Sequence, residues 1–180
     1  IQDPILHWAI RSSLNAIKTE PRIKLTSNIV GTVKEISYSL CAHPDDFEGW
    51  SKPYWIDSLE GLQHASSMTS LEISYTQKVQ SEGGGTEKLD DLTPISDLTQ
   101  LTRLIMMQDG LRDISSLEKL TNMRELNLSG NHEISDISVV GNMKKLEMLT
   151  LDTNNITDVS MLADLEKLEN LNISDNNISA

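Results

Sequence analysis

This chain of 180 residues has one cysteine, Cys41, and aromatic side chains make up only 4% of it. A single cysteine excludes an intramolecular disulfide framework. No apolar run approaches the length needed to cross a bilayer, so we expect no membrane insertion. Acidic residues outnumber basic ones 27 to 15, which gives a formal net charge of -12. Nucleic acid and anionic lipid are therefore disfavoured as partners, because both would repel the chain.

The chain does contain a repeated pattern of apolar residues. Four segments read apolar-x-x-apolar-x-x-apolar-x-apolar, and equivalent positions are 22, 23 and 22 residues apart. These segments begin at Leu98, Leu120, Met143 and Leu165. A fixed period of this length is typical of a solenoid, in which each unit forms one coil and stacks on its neighbours.

Each unit has three features with a physical role. The L-x-L alternation predicts a short strand with one inward face, and stacked copies predict a parallel sheet. A small polar side chain three residues after each strand can satisfy backbone groups where the chain turns inward. An aspartate two residues before a serine can accept a backbone N–H bond and begin an outer helical turn. The small polar residues are Asp109, Asn131, Asn154 and Asn176, and the aspartates are Asp113, Asp136 and Asp158.

The template extends upstream with two interruptions. Residues 65–73 fit a strand, and residues 30–38 fit one less regularly, which predicts six strands. Residues 42–55 and 77–88 are insertions that leave from the same template position, so we expect them to project from one edge of the solenoid. The first insertion contains four of the seven aromatic residues, Phe47, Trp50, Tyr54 and Trp55. It is either a contact loop for a partner or a cover over the first coil.

The two ends of the repeat array are predicted to differ in whether a cap covers them. Residues 1–29 are predicted to form a helical cap, with Asp3 as N-cap and Pro4 in the first turn. Residues 30–180 form the repeat region, and its last coil is predicted to lack a cap. An uncapped coil exposes apolar side chains, so end-to-end pairing through it is one expectation.

The repeats resemble those of internalin-type bacterial leucine-rich repeat surface proteins. The resemblance rests on the Asp-Ile-Ser and Asp-Val-Ser elements with Asn-x-Ile before them, and on the initial DPILHWAIRSSLN. It implies an α/β fold: a right-handed leucine-rich repeat solenoid with a parallel concave β-sheet of about six short strands and an N-terminal helical cap. It also implies the surface or exterior of a Gram-positive bacterium, and recognition of a protein or glycan on the concave face. This chain departs from the family in its insertions and in a concave face that has few aromatics.

Candidate partner-binding residues fall into two groups. Concave positions flank the inward leucines, and most of those in this chain are small and polar. Scattered exposed apolar residues are common on soluble proteins, which is the alternative to a binding patch. On the concave face the candidates are Arg103, Ile105, Met107, Glu125 and Met148. At the interrupted edge they are Trp50, Trp55 and Tyr75.

Catalytic and metal sites are not predicted. The segment Ala42-His43-Pro44-Asp45-Asp46 resembles a signature of zinc-dependent sugar deacetylases. Phe47 stands where that family needs a glutamate, and the surrounding residues fit a repeat insertion instead. We therefore expect a binding module that is not an enzyme and has no cofactor. The alternative function is an intracellular leucine-rich repeat adaptor or regulatory subunit that docks on an enzyme.

Overall fold

The computed structural model describes residues 31–39, 58–74 and 89–179, and within them it forms one open sheet of six parallel strands in chain order. The strands are β1 (Glu35–Ser39), β2 (Ser70–Ser74), β3 (Arg103–Ile105), β4 (Glu125–Asn127), β5 (Met148–Thr150) and β6 (Asn170–Asn172). We number each coil by the strand that begins it. The predicted leucine-rich repeat architecture and its number of strands are confirmed.

The register of the sheet follows the apolar repeat. One residue from each strand stands in a single row across the sheet: Ile36, Leu71, Leu104, Leu126, Leu149 and Leu171. The first five are buried and belong to one continuous core. Since a one-residue slip would turn every leucine toward solvent, this row keeps the register in place.

Short 3₁₀ helices form the side of each coil opposite the sheet. In the described residues they span Leu62–His64, Thr93–Ile95, Ser115–Leu117, Ser138–Asn142 and Ser160–Asp164. The predicted aspartates precede three of them, and each carboxylate accepts the backbone N–H of a serine two residues later. The N–O distance is 2.8 Å for Asp113, Asp136 and Asp158 alike. These contacts are Asx turns that direct the chain into the helix.

Buried asparagines connect neighbouring coils. In coil 4, Asn131 donates its amide to the carbonyls of Met106 and Leu128, and its Oδ1 accepts the backbone N–H groups of Asp109 and Leu111. Asn176 in coil 6 donates to its own coil and to coil 5, and its Oδ1 accepts the N–H of Ile156. The predicted role of this position is confirmed at both residues.

Coil 4 contains one residue more than its neighbours. His132 and Glu133 accommodate it in a local turn, in which the Glu133 N–H bonds to the Asn131 carbonyl at 2.7 Å. In coil 5, Asn154 donates its amide to the Leu128 and Leu151 carbonyls, but its buried Oδ1 has no hydrogen-bond partner among the described residues.

The last coil has more exposed apolar side chains than the coil before it. Leu171 is 47% exposed and Ile178 is 37% exposed, whereas their equivalents in coil 5, Leu149 and Ile156, are buried. The predicted cap (residues 1–29) and both insertions lie outside the described residues. No helix within the described ranges is long and apolar enough to cross a bilayer.

Candidate binding face of the sheet

The sheet face consists of the positions that alternate with the core residues along each strand and along the two residues that follow it. Its central part is built from coils 2 to 6 and includes Glu72, Arg103, Ile105, Met107, Glu125, Asn127, Ser129, Met148, Thr150, Asp152 and Asn172. Parallel strands stand about 4.8 Å apart, so side chains of equivalent positions form rows across adjacent coils. Repetition thereby combines residues far apart in sequence into one surface.

Arg103 connects three strands through two ion pairs. Its Nη1 lies 3.1 Å from Glu72 Oε2, and its Nε lies 3.1 Å from Glu125 Oε2. A longer contact of 3.5 Å joins Nη1 to Ser70 Oγ. Burial lowers the pKa of Arg103. The hydrogen bonds and charges of Glu72 and Glu125 raise it by more than burial lowers it, so the pKa lies above its ordinary value. The guanidinium is held in place and stays charged.

The predicted apolar patch is smaller than its sequence indicates. Met148 is 41% exposed and Met107 is half-buried, with its sulfur 3.4 Å from the Asn127 amide nitrogen. Ile105, which we expected to be exposed, is 6% exposed although it lies outside the continuous core. Its branched side chain is short, and the longer side chains of Arg103 and Met107 stand on either side of it on the same face. The prediction that Ile105 offers an apolar surface is therefore wrong.

Asp152 is the centre of a second polar group on this face. Its Oδ2 accepts the hydroxyls of Ser129 at 2.9 Å and Thr153 at 3.3 Å. Its Oδ1 accepts the Asn172 amide at 3.1 Å. All three donors are neutral, and no ion pair to Asp152 occurs among the described residues. Asp152 thus presents a negative charge whose position is held by hydrogen bonds.

Sequence reasoning found part of this face. Arg103, Met107, Glu125 and Met148 lie together on coils 3 to 5 as expected. Glu72 and Asp152 are not among the candidates from sequence, although each takes part in the polar contacts that order the face. Their signal was available, because an acidic residue at an outward strand position breaks a series of small polar ones. Trp50, Trp55 and Tyr75 lie outside the described residues, so their predicted role stays a prediction.

Metal-ligating side chains are not clustered in the described parts of the chain. No group of three or more histidine, cysteine, aspartate or glutamate side chains there could hold a metal ion. The segment 42–46, with its resemblance to a deacetylase signature, lies outside the described residues.

Family models and solved structures agree with the geometry. Models described as Leucine rich repeat match residues 133–178 and 119–140. An internalin from Listeria monocytogenes is similar over 99% of this chain, with 23% identity and a TM-score of 0.74; the match covers 45% of the internalin, so this chain spans under half its length. A comparison with curated proteins finds no match.

Two further structures share the fold. A leucine-rich repeat protein of Leptospira interrogans is similar over 67% of this chain and 29% of its own, with 21% identity and a TM-score of 0.52. The leucine-rich repeat ectodomain of a receptor kinase from Arabidopsis thaliana is similar over 66% of this chain and 61% of its own, with 19% identity and a TM-score of 0.54. At these identities the likeness extends to the fold alone. This chain therefore carries leucine-rich repeats stacked into an open parallel sheet, the fold of protein-interaction modules.

Proposed function

We propose that this chain is the non-catalytic recognition module of a bacterial cell-surface or secreted protein, and that it binds a protein through its sheet face. The observation that carries the proposal is the ordered face itself. Arg103, Glu72 and Glu125 join three coils, Asp152 is held by three donors, and Met148 is exposed beside them. A rigid face loses little conformational freedom when it binds, which favours affinity.

The cell-surface setting is supported by two observations. The sequence resembles internalin-type repeats, and an internalin from Listeria monocytogenes is similar in fold over nearly the whole chain. A receptor kinase ectodomain from a plant is also similar, so the fold serves more than one setting. Protease treatment of intact cells that carry the native protein tests this part: loss of the protein supports surface exposure, and full protection favours the alternative of an intracellular adaptor.

The binding face is tested by site-specific photocrosslinking. A benzoylphenylalanine is placed at Met148 or Asn172 on the sheet face, or at the exposed outer positions Ser138 and Ser160 as matched controls. We expect a crosslinked protein from cell-envelope or host extracts with the first two variants and none with the controls. Equal crosslinking from all four positions would show that recognition does not use the sheet face.

A further inference from the structure

The sheet face has an unequal distribution of charge. The described residues of this face include four carboxylates, Glu35, Glu72, Glu125 and Asp152, and one cation, Arg103. The row directly before the strands is balanced, because Lys34 and Arg124 stand there with Glu147 and Glu169. The described part of the face therefore has an excess of three negative charges, from four acidic residues and one basic residue.

Arg103 is not free to attract an acidic partner. Glu72 and Glu125 approach its guanidinium at 3.1 Å each, so this three-residue group has a net negative charge. A carboxylate that approached it would meet two carboxylates around one guanidinium. Like charges that are brought together at an interface weaken binding to the wrong partner. Acidic segments are thus disfavoured at the centre of the face.

Asp152 is arranged to receive a cation. Ser129, Thr153 and Asn172 direct neutral donors at its oxygens and hold its orientation, but they leave its charge uncompensated. Among the described residues no lysine or arginine pairs with it. A lysine or arginine from outside would add an ion pair to a carboxylate that is already in place, so little side-chain freedom would be lost there.

An apolar contact lies at a defined distance from this charge. Met148 is four residues before Asp152 on the same coil, and both occupy the sheet face. At about 3.3 Å per residue, they stand roughly 13 Å apart. Methionine side chains adapt to different apolar groups. Between the two sites lies Thr150, whose polar side chain is half-buried.

From this arrangement, we propose that the sheet face binds a cationic segment of a partner protein, which seats a lysine or arginine at Asp152 and an apolar side chain on Met148. This inference rests on the proposed recognition function and adds the chemistry of the partner. The negative excess attracts such a segment, and the methionine selects among cationic segments for those that carry an apolar residue at the matching distance. Association is then expected to weaken as salt concentration rises, because ions screen the exposed charges.

Three labelled peptides of equal length test the proposal by fluorescence anisotropy. In the first, lysine and leucine alternate at every fourth position with serine between them, so that the two stand about 13 Å apart on one side of an extended chain; in the second, glutamate replaces the lysine; in the third, serine replaces the leucine. We expect binding in the order lysine–leucine, then lysine–serine, with no binding of glutamate–leucine. Equal affinity of the glutamate–leucine and lysine–leucine peptides would overturn the proposal.

Variants of the protein locate the contact. Asp152→Asn removes the charge and keeps the side-chain size, and we expect it to weaken binding of the lysine–leucine peptide about three- to fivefold. Asp164→Asn, in the exposed 3₁₀ helix of coil 5, makes the same change of net charge away from the face and serves as the control. Equal weakening by both variants would show that overall charge, not this face, attracts the peptide.

A second variant distinguishes loss of the apolar contact from loss of folding. Met148→Ala changes an exposed side chain, and we expect it to reduce affinity for lysine–leucine while leaving lysine–serine unchanged. An equal loss for both peptides would contradict the apolar contact. If photocrosslinking from Met148 captures a partner through an acidic segment, the recognition function holds and this inference fails.

Discussion

Coils 4 and 5 follow the same template but differ in how well their buried asparagines are satisfied. Asn131 in coil 4 uses both amide hydrogens and its oxygen, whereas the Asn154 oxygen in coil 5 has no partner among the described residues. The cause lies in the preceding coil, because the oxygen of each asparagine takes its N–H donors from the coil before it. In coil 4 the extra residue moves the buried isoleucine to the third position after Asn131, and the Ile134 N–H does not bond to the Asn154 oxygen. The N–H at the second position, that of Glu133, turns back to the Asn131 carbonyl.

One extra residue in coil 4 therefore changes the hydrogen bonding of the buried asparagine in coil 5. The equivalent donors in regular coils are the N–H groups of Leu111 and Ile156, which bond to Asn131 and Asn176. In a stack whose units contact only their neighbours, an irregularity affects the adjacent unit and fades beyond it. Asn176, one coil further, again has a donor for its oxygen.

The largest expected effect is the difference between two alanine substitutions. Asn131→Ala removes the side-chain partner of the Met106 carbonyl and of the Asp109 and Leu111 N–H groups, and we expect a loss of about 3 kcal/mol in the free energy of unfolding. Asn154→Ala removes donors only from carbonyls that keep another one, since Leu128 also accepts from Asn131 and Leu151 from Asn176, so we expect a loss of about 1 kcal/mol. Urea denaturation followed by circular dichroism measures both. Asn155→Ala, at the exposed next position, is the control and should change stability little. Equal losses at Asn131 and Asn154 would contradict the comparison.

The second prediction restores the regular coil. Deleting His132 leaves Asn131-Glu133-Ile134, which has the length of Asn154-Asn155-Ile156, and retains Glu133 for its 2.7 Å ion pair with Arg112. We expect the Asn154 oxygen to gain a backbone donor and the protein to become more stable by about 1 kcal/mol. In this background, Asn154→Ala should destabilise the protein more strongly than it does in the natural chain. An unchanged cost of Asn154→Ala in the deletion background would refute the proposed cause.

Both the fold and the asparagine position were predictable, but the difference between the coils was not. Apolar spacing places Ile36 to Leu171 in one row, and the repeated asparagine marks where buried backbone groups need a partner. The missing donor at Asn154 depends on where the Glu133 and Ile134 N–H groups point, which follows from the three-dimensional path of an expanded turn. Burial of Ile105 depends in the same way on how far its neighbours reach, and repeat position alone does not contain that information.

The third prediction concerns the residue before each asparagine, which has a left-handed backbone. Gly130 has φ +72° in coil 4, and Thr153 has φ +58° in coil 5. A β-branched side chain is strained in this region, so Thr153→Gly should stabilise the protein by about 1 kcal/mol. Gly130→Ala should destabilise it by about 1–2 kcal/mol, because its Cβ would stand 2.8 Å from the Gln108 Cγ. Thermal unfolding should therefore show a stability increase for one substitution and a decrease for the other at the same template position. A change of the same sign for both substitutions would contradict the strain argument.

The smallest effect tests whether the extra residue alters the outer turns. Hydrogen bonds from the backbone N–H groups of Ser138 and Ser160, and from their side chains, hold the pKa values of Asp136 and Asp158 below the ordinary 3.8. A carboxyl with a lowered pKa in the folded state stabilises the protein above its unfolded pKa, and that contribution is lost as the pH falls through the folded value. Stability should therefore decrease below about pH 4 through these groups.

Single Asp136→Asn and Asp158→Asn variants measure the contribution of each aspartate to the pH dependence of stability. Asparagine retains the Asx turn but does not titrate, so each variant should show a slightly weaker loss of stability between pH 5 and pH 3 than the natural chain. We expect the two changes to be equal, because each aspartate accepts its serine N–H at 2.8 Å. Urea midpoints measured across this pH range provide the comparison. If Asp136→Asn differed clearly from Asp158→Asn, the extra residue in coil 4 would disturb its own outer turn as well as the asparagine of coil 5, and its influence could not be assigned to the Glu133 N–H alone.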